Sequence, residues 1–349
     1  MGRRKSQKLM TSLKLEKYSP AGGHDIETKK AADGGPSQSS GSPLPDSGHV
    51  GGWKADLDFS VAAGSGRCGL GRLSFKGPLR IQRPFRPESG PNAPCHLYLL
   101  HPPGGMVGGD ALTIKAEMEP GARALVTTPS AAKFYRAQAP QSQSTSVNVG
   151  PKAGIEWLPA ETIVFSGANG LVETSFEVSN LGFLLGCEIT VLGRPASGDG
   201  FERGVWHQIF NIKREGRLVL RDVWKSQGGG DELINPAGWA ERHIAVMFYA
   251  LGRHGEPTDL AALTAARNVL WQDMEKPKEN RQPGLLPPQS RPPQSLAPIW
   301  GVTILGELFL AKMLTDSLTE AHRFRLKVWE ALRPGLWQRE VYVPDIWFT

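Results

Sequence analysis

Apolar and polar residues alternate along "WKADLDFS" (53–60), with Trp53, Ala55, Leu57 and Phe59 set against Lys54, Asp56, Asp58 and Ser60. A period of two marks a strand with one buried face. Comparable runs predict further strands at 96–100, 112–118, 123–128, 145–149, 154–158, 162–166, 172–178, 184–192, 205–213 and 217–224. Gly, Pro or Asn separates most of them, and the spacing leaves no room for crossover helices before about residue 225. The body is therefore expected to be all-β. Two segments then change period. Residues 257–274 open on Pro257 and an acidic turn, with Leu260, Leu263, Ala266, Val269 and Leu270 at helical spacing; residues 315–332 repeat this with Leu318, Ala321, Phe324, Val328 and Leu332. Both read as helices.

Two stretches have too little to bury. Residues 1–51 are basic at first and then rich in Gly, Ser and Pro, and are expected to form a disordered extension. The Pro-rich, charged insertion at about 275–298 is expected to be a loop within a domain spanning 52–349. Location also changes the meaning of the charge. Of a net +6, five charges fall within Met1–Lys30, which holds eight Lys/Arg against three Asp/Glu. The nearly neutral body excludes a nucleic-acid-binding fold, which needs a basic face on its structured part.

Cys68, Cys95 and Cys187 are odd in number and form no CxxC pair, which fits a reducing, cytoplasmic setting. The longest apolar run, "IWGVTILGELFLAKML", is interrupted by Glu307 and Lys312, and no secretory segment follows Met1, so membrane insertion is not expected. "MGRRKS" fits a myristoylation pattern through Gly2 and Ser6, but so short a pattern does not outweigh a solvated tail.

Catalytic patterns fail on inspection. "GSGRCG" has the G-x-G-x-x-G spacing through Gly64, Gly66 and Gly69, yet Gly71, Gly77 and Pro78 break any helix behind it, leaving a hairpin turn. Cys95 and His101 share a strand face but lie roughly 20 Å apart, too far to chelate one ion. His207, His243, His254 and His322 are scattered, and no GxSxG elbow or Walker loop is present. "HPPGGMVGGD" (101–110) remains, and reads as a shaped turn: prolines stiffen it, Gly104, Gly105, Gly108 and Gly109 permit positive φ or close backbone approach, and Asp110 accepts from exposed amides. The alternative is an enzyme with a glycine-rich anion or nucleotide site around 101–110.

Its neighbours give the loop a context. "GPLRIQRPFRPE", "PCHLYLLHPPGGMVGGD", "TTPSAAKFYR", "GIEWLPAETIVFSGA", "LGRPASGDGFERG" and a terminal "PDIWFT" follow in that order. The succession resembles the urease accessory protein D family, closely over 53–225 and loosely beyond. Departures are the N-terminal extension, the 275–298 insertion, Ser130, Ala131 and Asp199. The resemblance implies a β-helix-like stack of short strands with two helices in the C-terminal part. It implies a non-enzymatic maturation scaffold that docks on the urease apoprotein, holds an F-type accessory protein and, through it, a nickel-binding GTPase. Nickel would pass transiently through an internal passage, with no tightly bound cofactor.

On that footing, weak oxygen ligands suit a passing ion, and Asp110, Glu156, Glu161 and Glu188 are the transit candidates; the simpler reading pairs each with an arginine. His101, the four loop glycines, and Lys133, Phe134, Tyr135 and Arg136 of "KFYR" are the contact candidates, with Phe134 alternatively a core residue.

Overall fold

Runs that alternate and runs that are apolar throughout fold into different sheets. The computed structural model describes residues 52–90, 93–275 and 296–348. The chain divides into two units, one of residues 50–343 and one of 1–49 with 344–349; the described part of the latter is a short 3-10 turn, Asp345–Phe348. The expected extension at 1–51 and residues 276–295 of the expected insertion lie outside the described residues.

The alternating segments build an outer seven-stranded sheet: β1 (Lys54–Ala63), β2 (Cys68–Lys76), β5 (Ala111–Met118), β8 (Gln141–Val149), β11 (Asn169–Val178), β13 (Val205–Arg214) and β14 (Arg217–Gln227), in the order β14-β13-β11-β8-β5-β1-β2. One face meets solvent, so polar residues occupy every second position. The continuously apolar segments build a middle sheet whose central strands are covered on both faces. It comprises β3 (Arg80–Ile81), β4 (Cys95–Leu100), β6 (Arg123–Thr127), β9 (Gly154–Trp157), β12 (Phe183–Leu192), β15 (Ile244–Leu251), β16 (Ile299–Leu305) and β17 (Leu308–Thr315), flanked by the short β7 (Ala132–Phe134) and β10 (Thr162–Val164).

Strands β1, β5, β8, β11 and β13 pair in parallel, as do β4, β6, β9 and β12. Parallel neighbours need a long crossover, usually a helix. Here the crossover is a strand of the opposite sheet, and the chain winds between the two sheets as the expected β-helix-like stack. "GSGRCG" is the β1–β2 hairpin turn, with Gly64 N donating to Arg67 O and Gly66 at φ +82°. The interrupted apolar run is the β16–β17 hairpin, turning at Gly306.

Helices α1 (Pro257–Glu275) and α2 (Leu318–Trp337) form a third layer, α2 packing on β15 and β17. The N-cap of α2 is Ser317, whose side chain accepts from Glu320 N. The sequence pattern stops at Leu332, before Pro334 and Gly335. The helix continues because Leu336 and Trp337 are buried, and Trp337 meets Phe183 edge-on at 5.0 Å. Between the sheets, Phe176, Phe210 and Tyr249 form an aromatic core with centroids 4.6–5.8 Å apart.

Candidate functional site

Three chain breaks lie one above another on the middle sheet. β4 ends at Leu100 and Met106 re-forms a parallel bridge to Phe134; residues 128–131 separate β6 from β7; residues 158–161 separate β9 from β10. Backbone bonds sew the levels together: Met106 N donates to Lys133 O (2.7 Å), Tyr135 N to Met106 O (3.0 Å), Ala132 N to Glu161 O (2.9 Å) and Phe165 N to Phe134 O (2.9 Å). Thr127 Oγ1 donates to Leu158 O at 2.6 Å. The buried Gln141 amide donates to Met106 O and Tyr135 O while its oxygen accepts from Asn169 N. Sequence reasoning missed Gln141. Its only signal is an amide at an inward strand position otherwise held by Thr145, Val147 and Val149.

Residues 101–110 form the first break, and Asp110 holds it closed. Its Oδ1 accepts from Trp53 N (2.7 Å) and its Oδ2 from Val107 N (2.8 Å), both from backbone. The glycines divide by role. Gly104 and Gly109 adopt φ +75° and +86°, whereas Gly105 allows close approach: a Cβ there would sit 2.4 Å from the Tyr135 ring. Gly108 would meet only ordinary contacts at 3.4 Å. His101 is half-buried; burial lowers its pKa, against a smaller opposing effect of Asp110. Phe134 is fully buried and edge-on to Trp206 at 4.9 Å, so it is core. Lys133 is half-buried, as is Tyr135, which tilts against Phe165 at 5.0 Å; Arg136 is exposed, its stem beside Gly167.

Gly105→Ala should destabilise the protein by about 1–3 kcal/mol through overpacking against Tyr135, while Gly108→Ala should stay within about 0.5 kcal/mol. Adding Tyr135→Ala should relieve the Gly105→Ala defect. Chemical denaturation of these three variants and of Tyr135→Ala alone measures this, and equal costs at the two glycines would refute the assignment.

The four candidate carboxylates do not converge. Asp110 lies in the turn. Glu156 is in register with Leu185 of β12, and Glu188 lies three residues further on; side chains alternate, so the two face opposite sides of the middle sheet. Glu156 faces α2. There Trp329 Nε1 donates to Glu156 Oε1 (2.6 Å), and Arg333 spans both its oxygens at 2.9–3.1 Å. Arg333 also donates to Glu88 Oε1 (2.6 Å) and to Glu340 O. Glu88 in turn meets His96 Nε2 (2.9 Å) and Arg339 Nε (2.9 Å). Glu156, Arg333 and His96 are completely buried. Burial opposes ionisation of Glu88, but His96, Arg333 and Arg339 outweigh it and hold its carboxyl at about 2.

Glu161 also faces α2, 3.4 Å from His322 Nε2. Burial works against its charge, and His322 with the more distant Arg325 still keeps it below the usual carboxylate range. The arginine-pairing reading therefore describes Glu156 directly. Glu88 and Arg333 were not singled out from sequence, although Arg325, Trp329 and Arg333 recur every four residues within the apolar stripe of α2.

Glu188 stands apart, on the wall of a cleft of about 360 Å³ between the sheets. Burial alone pushes its carboxyl up to about 8, and its Oε1 is shielded without a hydrogen-bond partner among the described residues. Across the cleft Lys312 Nζ lies 2.8 Å from both oxygens of Asp222, which also accepts from Trp224 Nε1 (2.9 Å). Tyr249 Oη is likewise buried and unpartnered among the described residues. Those residues contain no group of three or more His, Cys, Asp or Glu side chains able to hold a metal ion. Cys68, Cys95 and Cys187 are free and buried; burial pushes the Cys95 thiol up to about 11 and raises Cys187, so neither is a ready nucleophile. No helix among the described residues is long and apolar enough to cross a membrane.

A two-sheet stack bearing shaped loops, a buried charge network and a largely apolar inter-sheet cleft defines a β-helix-like class of protein. The chain belongs to the UreD urease accessory protein family, whose sequence model matches residues 53–348. It is 37% identical over 306 residues to urease accessory protein UreD of Chromohalobacter salexigens, covering 85% of this chain and 89% of that one. The Dechloromonas aromatica protein of the same name is 33% identical (88% and 98% covered), and that of Klebsiella aerogenes 32% (85% and 97%).

Proposed function

We propose that this protein is a non-enzymatic urease accessory protein of the cytoplasm. It docks on the urease apoprotein, binds an F-type accessory protein and through it a nickel-binding GTPase, and lets nickel pass toward the urease centre. Family membership over 53–348 is the observation that carries the reading. The inter-sheet cleft supports the passage: Glu188 offers an oxygen with no hydrogen-bond partner among the described residues, and isolated oxygen ligands release Ni²⁺ more readily than a thiolate or imidazole set. Asp110 is already committed to the turn, Glu156 to Arg333 and Glu161 to His322, so transit is assigned to Glu188. The alternative, an anion site at 101–110, is disfavoured because Asp110's own carboxylate occupies the amides of Trp53 and Val107 and would repel a second anion.

At limiting nickel, Glu188→Ala should leave the complex with urease and the F-type partner assembled while urease nickel content and activity fall. Asp110→Ala should instead lower complex yield and activation together. Normal urease nickel in Glu188→Ala would remove the cleft from the route. Failure of the unmodified protein to co-purify with urease or the F-type partner would overturn the accessory role.

A further inference from the structure

The inter-sheet cleft already binds one ammonium group, its own. Lys312 Nζ is held by both oxygens of Asp222 at 2.8 Å and lies 5.7 Å from the Trp224 ring centroid, so a carboxylate and an indole together hold the cation. On the same lining, Glu188 presents a shielded carboxyl oxygen with no partner among the described residues. Trp239, edge-on to Trp224 at 5.0 Å, extends the aromatic wall. Two carboxyl groups thus share a cleft of about 360 Å³ with a single lysine. That volume admits a small ligand, and an apolar lining with a few directed polar groups is how such ligands are held.

We propose that this cleft is a binding site for an organic cation, an ammonium or guanidinium group on a short apolar stem, with Glu188 receiving the charge and the indoles packing on the stem. Lys312 is the internal counterpart of that ligand and occupies the second carboxylate. The inference goes beyond nickel transit and does not rest on it.

The test uses full-length, metal-free protein at pH 9, where the Glu188 carboxyl is ionised, with chelator present, so its result is independent of the nickel reading. n-Butylammonium and n-butylguanidinium are titrated while the tryptophan indole ¹⁵N–¹H resonances are followed, with 1-butanol as the neutral counterpart. Saturable shifts are expected with a Kd on the order of 1–10 mM, well inside the limit for so few atoms, and binding of 1-butanol at least about fivefold weaker. Glu188→Gln should weaken the cations at least about fivefold. Lys312→Met should tighten them by a similar factor, because it leaves Asp222 without its cation. N-acetyl-lysine methylamide distinguishes two sources: binding like butylammonium indicates a side chain presented by a partner, whereas failure to bind beside a binding butylammonium indicates a free amine. Equal affinity for 1-butanol, an unchanged Glu188→Gln, or no saturation of the unmodified protein by either cation would overturn the proposal. Should Lys312→Met not fold, the neutral comparison and Glu188→Gln decide.

Discussion

Arg333→Met is expected to cost about 3–5 kcal/mol of folding stability, the range for removing one partner of a buried ion pair. Few single changes in this chain should cost more, because Arg333 serves two carboxylates at once. Without it, among the described residues Glu156, completely buried on β9, keeps the Trp329 N–H, and Glu88 keeps His96 and Arg339. Domains are stable by roughly 5–15 kcal/mol, so the variant should accumulate poorly, and Glu156→Gln added to it should recover part of the loss. The pH dependence carries a second signature. The Glu88 carboxyl is held at about 2 against an ordinary 4.5, so its contribution is present above about 4.5 and is lost as pH falls through about 2. Removing Arg333 should flatten that acid limb. Urea unfolding from pH 2 to 7 measures both effects, and a cost below about 1 kcal/mol would show the network to be incidental.

The same network marks where sequence reasoning stopped. Period-two alternation located β1, β5, β8 and β11, because one face of the outer sheet meets solvent. It predicted none of β15, β16 and β17, where "IAVMFYAL" is buried on both faces and the apolar run before Lys312 hides a hairpin. β2 was missed for the opposite reason: it is an edge strand with little burial, and its glycines read as turn. The spaced motifs were legible one by one, but their stacking follows from a parallel register that a linear pattern does not contain. Charge pairing was the least visible. Glu156 and Arg333 lie 177 positions apart, and which face of β9 or β12 a glutamate takes depends on covering layers that the strand itself does not reveal. Four carboxylates grouped by chemistry thus separate by geometry: one closes a turn, two face a helix, and one faces the cleft.

Glu188→Gln is expected to stabilise the free protein, and increasingly so as the solution becomes more alkaline. The carboxyl is raised from an ordinary 4.5 to about 8 by burial, so the folded state keeps a proton that the unfolded chain has released. Below about 4.5 both states are protonated and Glu188 contributes no pH dependence. Between about 4.5 and 8 the unfolded state binds fewer protons than the folded one, and stability must fall as pH rises; above about 8 the penalty is constant. The full shift would correspond to about 5 kcal/mol, but the cleft is open to water, and a gain of about 1–3 kcal/mol for the glutamine variant near pH 9 is the expected size after that discount. Denaturant unfolding of both proteins at pH 4, 6, 7.5 and 9 tests it: the curves should coincide at pH 4 and diverge through neutrality. Curves that stay parallel from pH 4 to 9 would mean that the Glu188 carboxylate is already ionised and compensated in the folded protein, and its shielded oxygen would then have to be satisfied by ordered water or by a bound cation.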